Sequence, residues 1–290
     1  MSKFRISALI LALTLVFTAF GCEKTSTATT GETPSDAGIS VIVTTDALYE
    51  IVSAIGGDYI EVTNLLSGGE EIHHFEPTAR DAEALSKASL IFRNGLGLDD
   101  WASELAGKTE VFAAAEGLDS IIDGDPHVWL SPKFAAAMSN EICRKLTGLF
   151  PESASVFEQN NAELCGQLAL LSVEFSSKFA GARLDTFVTG HAALGYLALE
   201  FGLTQKSVSD VFSSGEPTAQ QLMELTDFCN ENGVKYVLSE SAAPLAVSET
   251  LARECGAEVL SVYMMESAEG DASFLTRMRH NLETVLKAVE

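Results

Sequence analysis

Positive charge is scarce in this 290-residue sequence, which has 18 Lys and Arg against 41 Asp and Glu and a formal net charge of −23. A chain this acidic repels nucleic acid and anionic membrane surfaces, so we exclude both as partners bound by charge. The excess of carboxylates suits a protein that handles cations, and it equally suits a merely solubilising surface. Hydrophobic residues make up 47% of the chain, and that content with this length predicts a folded protein of about two domains.

Motifs that bind a metal or carry out redox chemistry within one short segment are also absent. None of the five cysteines lies in a CxxC pair, which argues against thiolate metal clusters and a thioredoxin-like motif. The sequence has no HExxH motif and no two histidines at positions i and i+4, so no single helix supplies a metal site. A metal site in this chain has to collect its ligands from separate segments.

The start of the chain has the pattern of an export signal. Residues 1–21 begin with Lys3 and Arg5, continue as an apolar run and end directly before Cys22. The run is about 15 residues long, which is marginal for a membrane span. Its end, TAFGC, resembles a bacterial lipobox, which implies cleavage before Cys22 and a diacylglycerol on the sulfur; an ordinary signal peptide followed by a chance cysteine is the alternative. Residues 22–38, rich in Thr, Ser and Gly, predict a flexible tether.

Two halves with the same plan follow the tether. In residues 39–65 and again in 185–209, a strand pattern ending at threonine leads into a helical pattern that ends in glycine, and a second strand follows. In this alignment Asp46 lies opposite His191. A segment beginning Glu-Pro-Thr-Ala comes next in both halves, and its proline and polar residues predict a helix start. We therefore predict an α/β fold of two similar lobes, each a parallel sheet flanked by helices.

One long rigid helix is predicted to join the two lobes. Residues 151–182 begin with proline and contain good helix formers with apolar residues at helical spacing. A helix of this segment would span about 42 Å at about 1.5 Å per residue. The predicted order is an N-terminal lobe at 39–150, the linking helix at 151–182 and a C-terminal lobe at 183–290.

Four cysteines remain after Cys22, at positions 143, 165, 229 and 255. Export makes disulfides possible. Cys229 and Cys255 each end a helical segment just before a strand of the same half, so we expect these two to pair; buried free thiols are the alternative.

Four of the five histidines lie in predicted loops or at strand-to-helix turns. His73 and His74 precede the first Glu-Pro-Thr-Ala helix, His127 lies in DGDPHVWLSP, and His191 follows a strand directly. His280, on the last helix, is most simply a surface residue. The first-lobe and second-lobe histidines are expected at the carboxyl ends of parallel strands, where α/β sheets bind ligands. Three neutral imidazoles with a fourth position to fill suit Zn²⁺.

Six segments carry a resemblance to a known family: HHFEPTARD, NGLGLDDW, DPHVWLSP, VTGHAALGYLALEFGL, GEPTAQQL and LARECGAEVL. Together they resemble the cluster A-I metal-binding lipoproteins of ABC transporters, the ZnuA and TroA group, over essentially the whole mature chain. The resemblance implies an exported, monomeric lipoprotein, anchored to the membrane by its lipid, that captures Zn²⁺ or Mn²⁺ between two lobes and passes it to an ABC permease. It implies His73, His127 and His191 as ligands and leaves His74 at a variable position.

The fourth ligand is where the sequence departs from the family pattern. The resemblance implies an Asp, but LSVYMMESAEGD has Glu266 there, with Glu269 and Asp271 nearby. We expect Glu266 to coordinate, since its side chain is only one methylene longer; water at the fourth position is the alternative. The histidine-rich loop that many zinc-specific members carry before Asp-Pro-His is also missing, because residues 116–127 read EGLDSIIDGDPH.

These features predict metal capture without catalysis. Three imidazoles and one carboxylate favour Zn²⁺ over Mn²⁺, which prefers more oxygen ligands. The alternatives are a manganese-binding member of the same family, a metal-binding surface adhesin, and a three-histidine zinc hydrolase, for which no catalytic motif is recognisable. Glu76, Glu216 and Glu240 are candidates to cap a helix or to accept a hydrogen bond from the second ring nitrogen of a ligand, and not to bind the metal themselves. Because zinc needs neutral imidazoles, we expect affinity to fall as the pH drops through about 6.5.

Overall fold

The computed structural model describes four stretches of the chain: residues 39–67, 71–212, 218–240 and 245–290. All four lie within one compact unit. The predicted signal segment, the lipidation site at Cys22, the tether at 22–38 and Glu216 lie outside the described residues. Among the helices of these four stretches, none is both long and apolar enough to cross a bilayer.

The first half of the chain forms a four-stranded parallel sheet. Its strands are β1 (Ile39–Val43), β2 (Ile60–Asn64), β3 (Leu90–Arg93) and β4 (Val111–Ala113), in the order β2-β1-β3-β4. Its helices are α1 (Asp46–Gly56), α2 (Ala79–Lys87), α3 (Trp101–Leu105) and α4 (Pro132–Leu149). The central strand β1 consists almost entirely of Ile and Val, as expected of a parallel strand covered on both faces.

The second half repeats this arrangement. Its strands are β5 (Thr186–Thr189), β6 (Thr204–Ser207), β7 (Tyr236–Glu240) and β8 (Glu258–Val262), in the order β6-β5-β7-β8. Its helices are α6 (Gly195–Phe201), α7 (Ala219–Asn232), α8 (Leu245–Cys255) and α9 (Phe274–Val289). Each strand takes the place of its counterpart in the first sheet. The predicted α/β fold of two similar lobes with parallel sheets is confirmed.

Between α4 of the first half and β5 of the second half lies α5 (Ala154–Phe179), a helix of 26 residues. It falls within the segment predicted as a linking helix, and a 3₁₀ turn at Pro151–Ser153 precedes it. One face of α5 is buried at helical spacing, by Phe157, Leu164, Leu168, Leu171, Phe175 and Phe179. This face fixes the helix to the body of the protein along its whole length.

The helix starts predicted at the two Glu-Pro-Thr-Ala segments are confirmed. Thr78 is the N-cap of α2 and Thr218 is the N-cap of α7. Each forms a capping box with the residue three positions later, Asp81 or Gln221, so two otherwise unpaired backbone N–H groups are bonded at each start.

One hydrophobic core extends through both lobes. Val41 and Ile51 of the first lobe belong to the same buried cluster as Leu197 and Met278 of the second. Separating the lobes would expose this surface to water at about 25 cal/mol per Å², so a wide opening is unfavourable. A smaller core lies among β7, α7 and α8.

The four cysteines of the described region are free thiols, so the expected disulfide between Cys229 and Cys255 is not formed. The two side chains do lie in the same small core of the second lobe. Burial in this apolar environment raises the pKa of the Cys229 thiol to about 12. The thiolate, which is the reactive form, is therefore suppressed.

Candidate metal centre

The three histidines predicted as ligands meet at one point between the lobes. One ring nitrogen from each of His73, His127 and His191 lies within 4.8 Å of the other two. His73 Nε2 and His127 Nε2 are 3.3 Å apart. Two nitrogens bound tetrahedrally to one Zn²⁺ at about 2.0–2.1 Å would lie about 3.4 Å apart, so the spacing fits a shared ion.

The carboxylate of Glu266 lies beside these nitrogens. Its Oε1 is 3.4 Å from Nε2 of His73 and 3.4 Å from Nε2 of His127, and the residue is 6% exposed. Glu269 has another role, because its carboxylate accepts hydrogen bonds from the backbone N–H groups of Met264 and Met265 and so braces the loop. The structure brings the carboxylate of Glu266 to the imidazoles of His73 and His127.

Short irregular segments present the histidines. His73 lies in a 3₁₀ turn, Ile72–His74, where the buried Ile72 anchors the turn. His74, the next residue, is exposed. His191 follows β5, and its carbonyl accepts a hydrogen bond from the hydroxyl of Thr189 at 2.6 Å.

Asp125 fixes the ring of His127. Its Oδ1 accepts hydrogen bonds from His127 Nδ1 at 2.8 Å and from the His127 backbone N–H at 2.9 Å. This leaves Nε2 facing His73 Nε2 and Glu266 Oε1. Burial by itself lowers the pKa of His127, but the hydrogen bonds with Asp125 and Glu266 outweigh it and raise the pKa to about 9.

The second lobe supports this Asp125–His127 pair from the other side. Tyr196 donates a hydrogen bond from its hydroxyl to the carbonyl of Asp125 at 2.9 Å. Gly195 lies so close that a Cβ there would be 2.6 Å from Asp125 Oδ2, so any larger residue would force the Asp125 side chain to move. Residues of α6 therefore help to orient His127, which belongs to the first lobe.

Glu240 plays the same part for His191. Its Oε1 is 2.5 Å from His191 Nδ1, while His191 Nε2 is 2.9 Å from the carbonyl of Val211. Burial lowers the pKa of His191, but the hydrogen bond with Glu240 outweighs it and the net shift is upward. Of the three glutamates considered from the sequence, Glu240 makes this contact; Glu76 is exposed.

His73 differs from the other two imidazoles. Its Nδ1 is buried and has no hydrogen-bond partner among the described residues. The ring of Phe212 packs edge-on against it, with centroids 5.8 Å apart. The fifth histidine, His280, is exposed on α9, as expected.

The sequence did not single out Asp125, Tyr196, Gly195 or Phe212. Asp125 was within reach, because it stands two residues before His127 in the quoted Asp-Pro-His segment. Tyr196, Gly195 and Phe212 contact residues of the other lobe that are far away in the sequence, so no local pattern indicated them.

Comparison with known proteins decides which family has this arrangement. A family model described as "ZnuA: Zinc-uptake complex component A periplasmic" matches residues 41–288. The chain belongs to this family. The resemblance drawn from the sequence motifs is thereby confirmed.

Individual members of the ZnuA family are similar along most of the chain. A relative in Treponema pallidum (strain Nichols), named for metal binding, is 33% identical over 98% of this chain and 96% of its own length. The zinc-binding lipoprotein AdcA of Streptococcus pneumoniae serotype 4 is 26% identical over 99% of this chain, which spans 61% of AdcA. The solved structure of the laminin-binding protein Lmb of Streptococcus agalactiae is 31% identical, with a TM-score of 0.82 over 87% of this chain and 100% of Lmb.

Proposed function

We propose that this chain is an extracytoplasmic solute-binding protein that captures Zn²⁺ with His73, His127, His191 and Glu266. The observation that carries the proposal is the meeting of three imidazoles from both lobes with a buried carboxylate, whose Oε1 lies 3.4 Å from two of them. The ion is the cargo, and an ABC permease is the receiver.

The ligand set supports zinc in preference to manganese. Zn²⁺ is bound by imidazole and carboxylate in four-coordinate sites, whereas Mn²⁺ favours sites richer in oxygen. Here three of four ligand atoms are nitrogen. The carboxylates of Asp125 and Glu240 do not act as further metal ligands in this proposal, because each is already hydrogen-bonded to Nδ1 of a histidine.

Capture, and not catalysis, fits the shape of the site. A catalytic zinc has three protein ligands and keeps its fourth position open for water. In the proposed site Glu266, whose Oε1 lies 3.4 Å from His127 Nε2, would take the fourth position, and the His127 side chain is completely buried. A hydrolase would need room for a substrate at this point.

Export and anchoring complete the proposal. A lipid on Cys22 and the tether at 22–38 would hold the protein on the membrane, facing the periplasm or the cell exterior. The name of the related AdcA, a zinc-binding lipoprotein, supports this placement. We treat the protein as a monomer that hands its ion to the permease.

Adhesion is a second candidate, favoured by one specific observation. Lmb is described as a bifunctional protein with adhesin and metal transporting activity. Retention of the purified zinc-loaded chain on immobilised laminin would support adhesion, and absence of retention would leave metal capture as the only candidate.

The neighbouring histidines offer a matched test of the metal site. In a zinc titration with a competing chelator, His73→Ala should weaken zinc binding by more than about 100-fold, because losing a ligand exceeds the 10–100-fold effect typical of losing a ligand's partner. His74→Ala should leave affinity unchanged, since His74 is exposed. Equal losses in both variants, or tighter binding of Mn²⁺ than of Zn²⁺ by the unaltered protein, would contradict the proposal.

A further inference from the structure

The loop that carries Glu266 begins after β8 in the second lobe, yet its backbone is bonded to the first half of the chain. Three consecutive carbonyl groups accept hydrogen bonds from that half: Met264 O from Trp129 Nε1 at 2.7 Å, Met265 O from Ala47 N at 2.9 Å, and Glu266 O from Asp46 N at 2.9 Å. Two of these donors are the first amide groups of α1, which have no partner within their own helix. Glu266 is thus held by the first lobe.

The backbone of this loop is not in a relaxed conformation. Met265 has φ = 57°, in the left-handed region that residues other than glycine rarely adopt. Such a conformation persists only where the surroundings hold it. The loop therefore needs its neighbours in order to aim Glu266 at the imidazoles.

A buried ion cluster lies directly beside the attachment point. Arg277 of α9 is 1% exposed, and its Nη1 is 2.6 Å from Asp46 Oδ2 while its Nη2 is 3.3 Å from Glu50 Oε1. The other oxygen of Glu50, Oε2, accepts a hydrogen bond from the backbone N–H of Phe274, the first residue of α9. The first turns of α1 and α9 are tied together, and the Glu266 loop leads from β8 into that same helix α9.

Asp46 takes part in both sets of contacts. Its backbone N–H holds the Glu266 carbonyl, and its carboxylate holds Arg277. In the internal alignment of the two halves Asp46 occupies the position of His191. In the second half this position is His191, a proposed ligand. In the first half it is Asp46, whose backbone N–H holds the loop that carries Glu266, the fourth proposed ligand.

We propose that the cluster of Asp46, Glu50 and Arg277 is a positioning device that fixes the Glu266 carboxylate for the captured ion. The proposal rests on the proposed function of zinc capture. Ligands have to be held to within about 0.5 Å of the productive geometry, and a loop with a strained residue meets that demand only when both of its ends are fixed. The cluster fixes the end that leads into α9.

The test compares Asp46→Asn with Glu266→Gln and with the double variant. Asp46→Asn keeps the backbone N–H and the size of the side chain but removes the charge facing Arg277. We expect about a 10–100-fold loss of zinc affinity, as for other supports of a ligand. In the Glu266→Gln background the same change should have little further effect, because interacting residues give non-additive losses. Co²⁺ bound in place of zinc should also show weaker visible bands in Asp46→Asn, which a purely structural role would not cause.

The control variant is Glu174→Gln, which breaks a different ion pair of α9, with Arg279 at 2.8 Å, away from the loop. It should leave zinc affinity and the Co²⁺ spectrum unchanged. If Asp46→Asn fails to fold, Glu50→Gln provides the same comparison at a carboxylate that is 31% exposed. Losses that add fully in the double variant, or an unchanged spectrum in a folded variant of the cluster, would overturn the proposal. Unaltered protein that binds no zinc would instead refute the proposed function.

Discussion

Raising the pH from about 7 to about 9 should tighten zinc binding and, at the same time, destabilise the zinc-free protein. Both effects have their origin in His127. The hydrogen bonds with Asp125 and Glu266, which outweigh the effect of burial, raise its pKa to about 9. At neutral pH the zinc-free protein therefore carries a proton on His127, and zinc has to displace it.

The size of the effect follows from this pKa. One pKa unit corresponds to about 1.4 kcal/mol, so affinity should rise almost tenfold per pH unit well below the pKa, and about 50-fold in total between pH 7 and 9, through His127 alone. An unperturbed imidazole with a pKa of about 6.5 would give less than about a twofold rise over that interval. From the sequence we expected zinc affinity to fall as the pH drops through about 6.5. The structure moves this fall to a higher pH, because the carboxylates of Asp125 and Glu266 raise the pKa of His127. The upward shift of His191 acts in the same direction.

Isothermal titration in buffers of different ionisation enthalpy measures the displaced protons directly. At about pH 7.5, a histidine with a pKa of about 9 releases about one proton on binding zinc, whereas three unperturbed histidines together release about 0.3. A release near 0.3 protons per zinc would refute the reasoning.

The zinc-free protein should respond with the opposite sign. A histidine whose pKa is higher in the folded state than in the unfolded state stabilises the fold below its unfolded pKa of about 6.5, and the stabilisation is lost as the pH rises through about 9. For His127 this amounts to about 3 kcal/mol. Urea unfolding of the chelator-treated protein should therefore show a lower free energy of unfolding at pH 9 than at pH 6.5. If the free energy of unfolding of the zinc-free protein and the zinc affinity both rose with pH, His127 would not be the origin of the two effects.

Two further predictions concern the residues that orient the imidazoles. Glu240→Gln should weaken zinc binding by about 10–100-fold in a chelator competition, because His191 loses the carboxylate 2.5 Å from its Nδ1. Gly195→Ala should both destabilise the fold by about 1–3 kcal/mol in urea unfolding and weaken zinc binding, because the new methyl group would press on Asp125 from 2.6 Å.

The chain offers a matched control for each variant. Glu76→Gln removes an exposed carboxylate and should leave zinc affinity unchanged. Gly166→Ala adds a methyl group on the exposed side of α5, where nothing lies within 4 Å, and should stabilise the helix by up to about 1 kcal/mol. Equal zinc affinities for Glu240→Gln and Glu76→Gln would show that the carboxylate beside His191 has no influence on the metal. A destabilised Gly166→Ala would show that the loss in Gly195→Ala is not specific to that close contact.

Local patterns were enough to predict the lobes and the helix starts. A strand buried on both faces needs a run of β-branched residues, as in β1, and a capped helix needs its Thr and its Asp or Gln three residues apart, as at Thr78 and Thr218. These requirements act within a few residues, so they are visible in the sequence. The expected pairing of Cys229 with Cys255 had no such local requirement, and the structure has both as free thiols.

The sequence by itself determined which residue types were available for a metal and where they lie: His73 and His127 in loops, His191 just after a strand, and Glu266 before the last helix. Only the tertiary structure decided which carboxylates form hydrogen bonds with the histidine rings. Glu240 meets His191 across 49 residues of sequence, because β5 and β7 are neighbours in the sheet. Hydrogen bonds and burial of this kind depend on strand order and on packing between the lobes, and these come from the whole chain folding together.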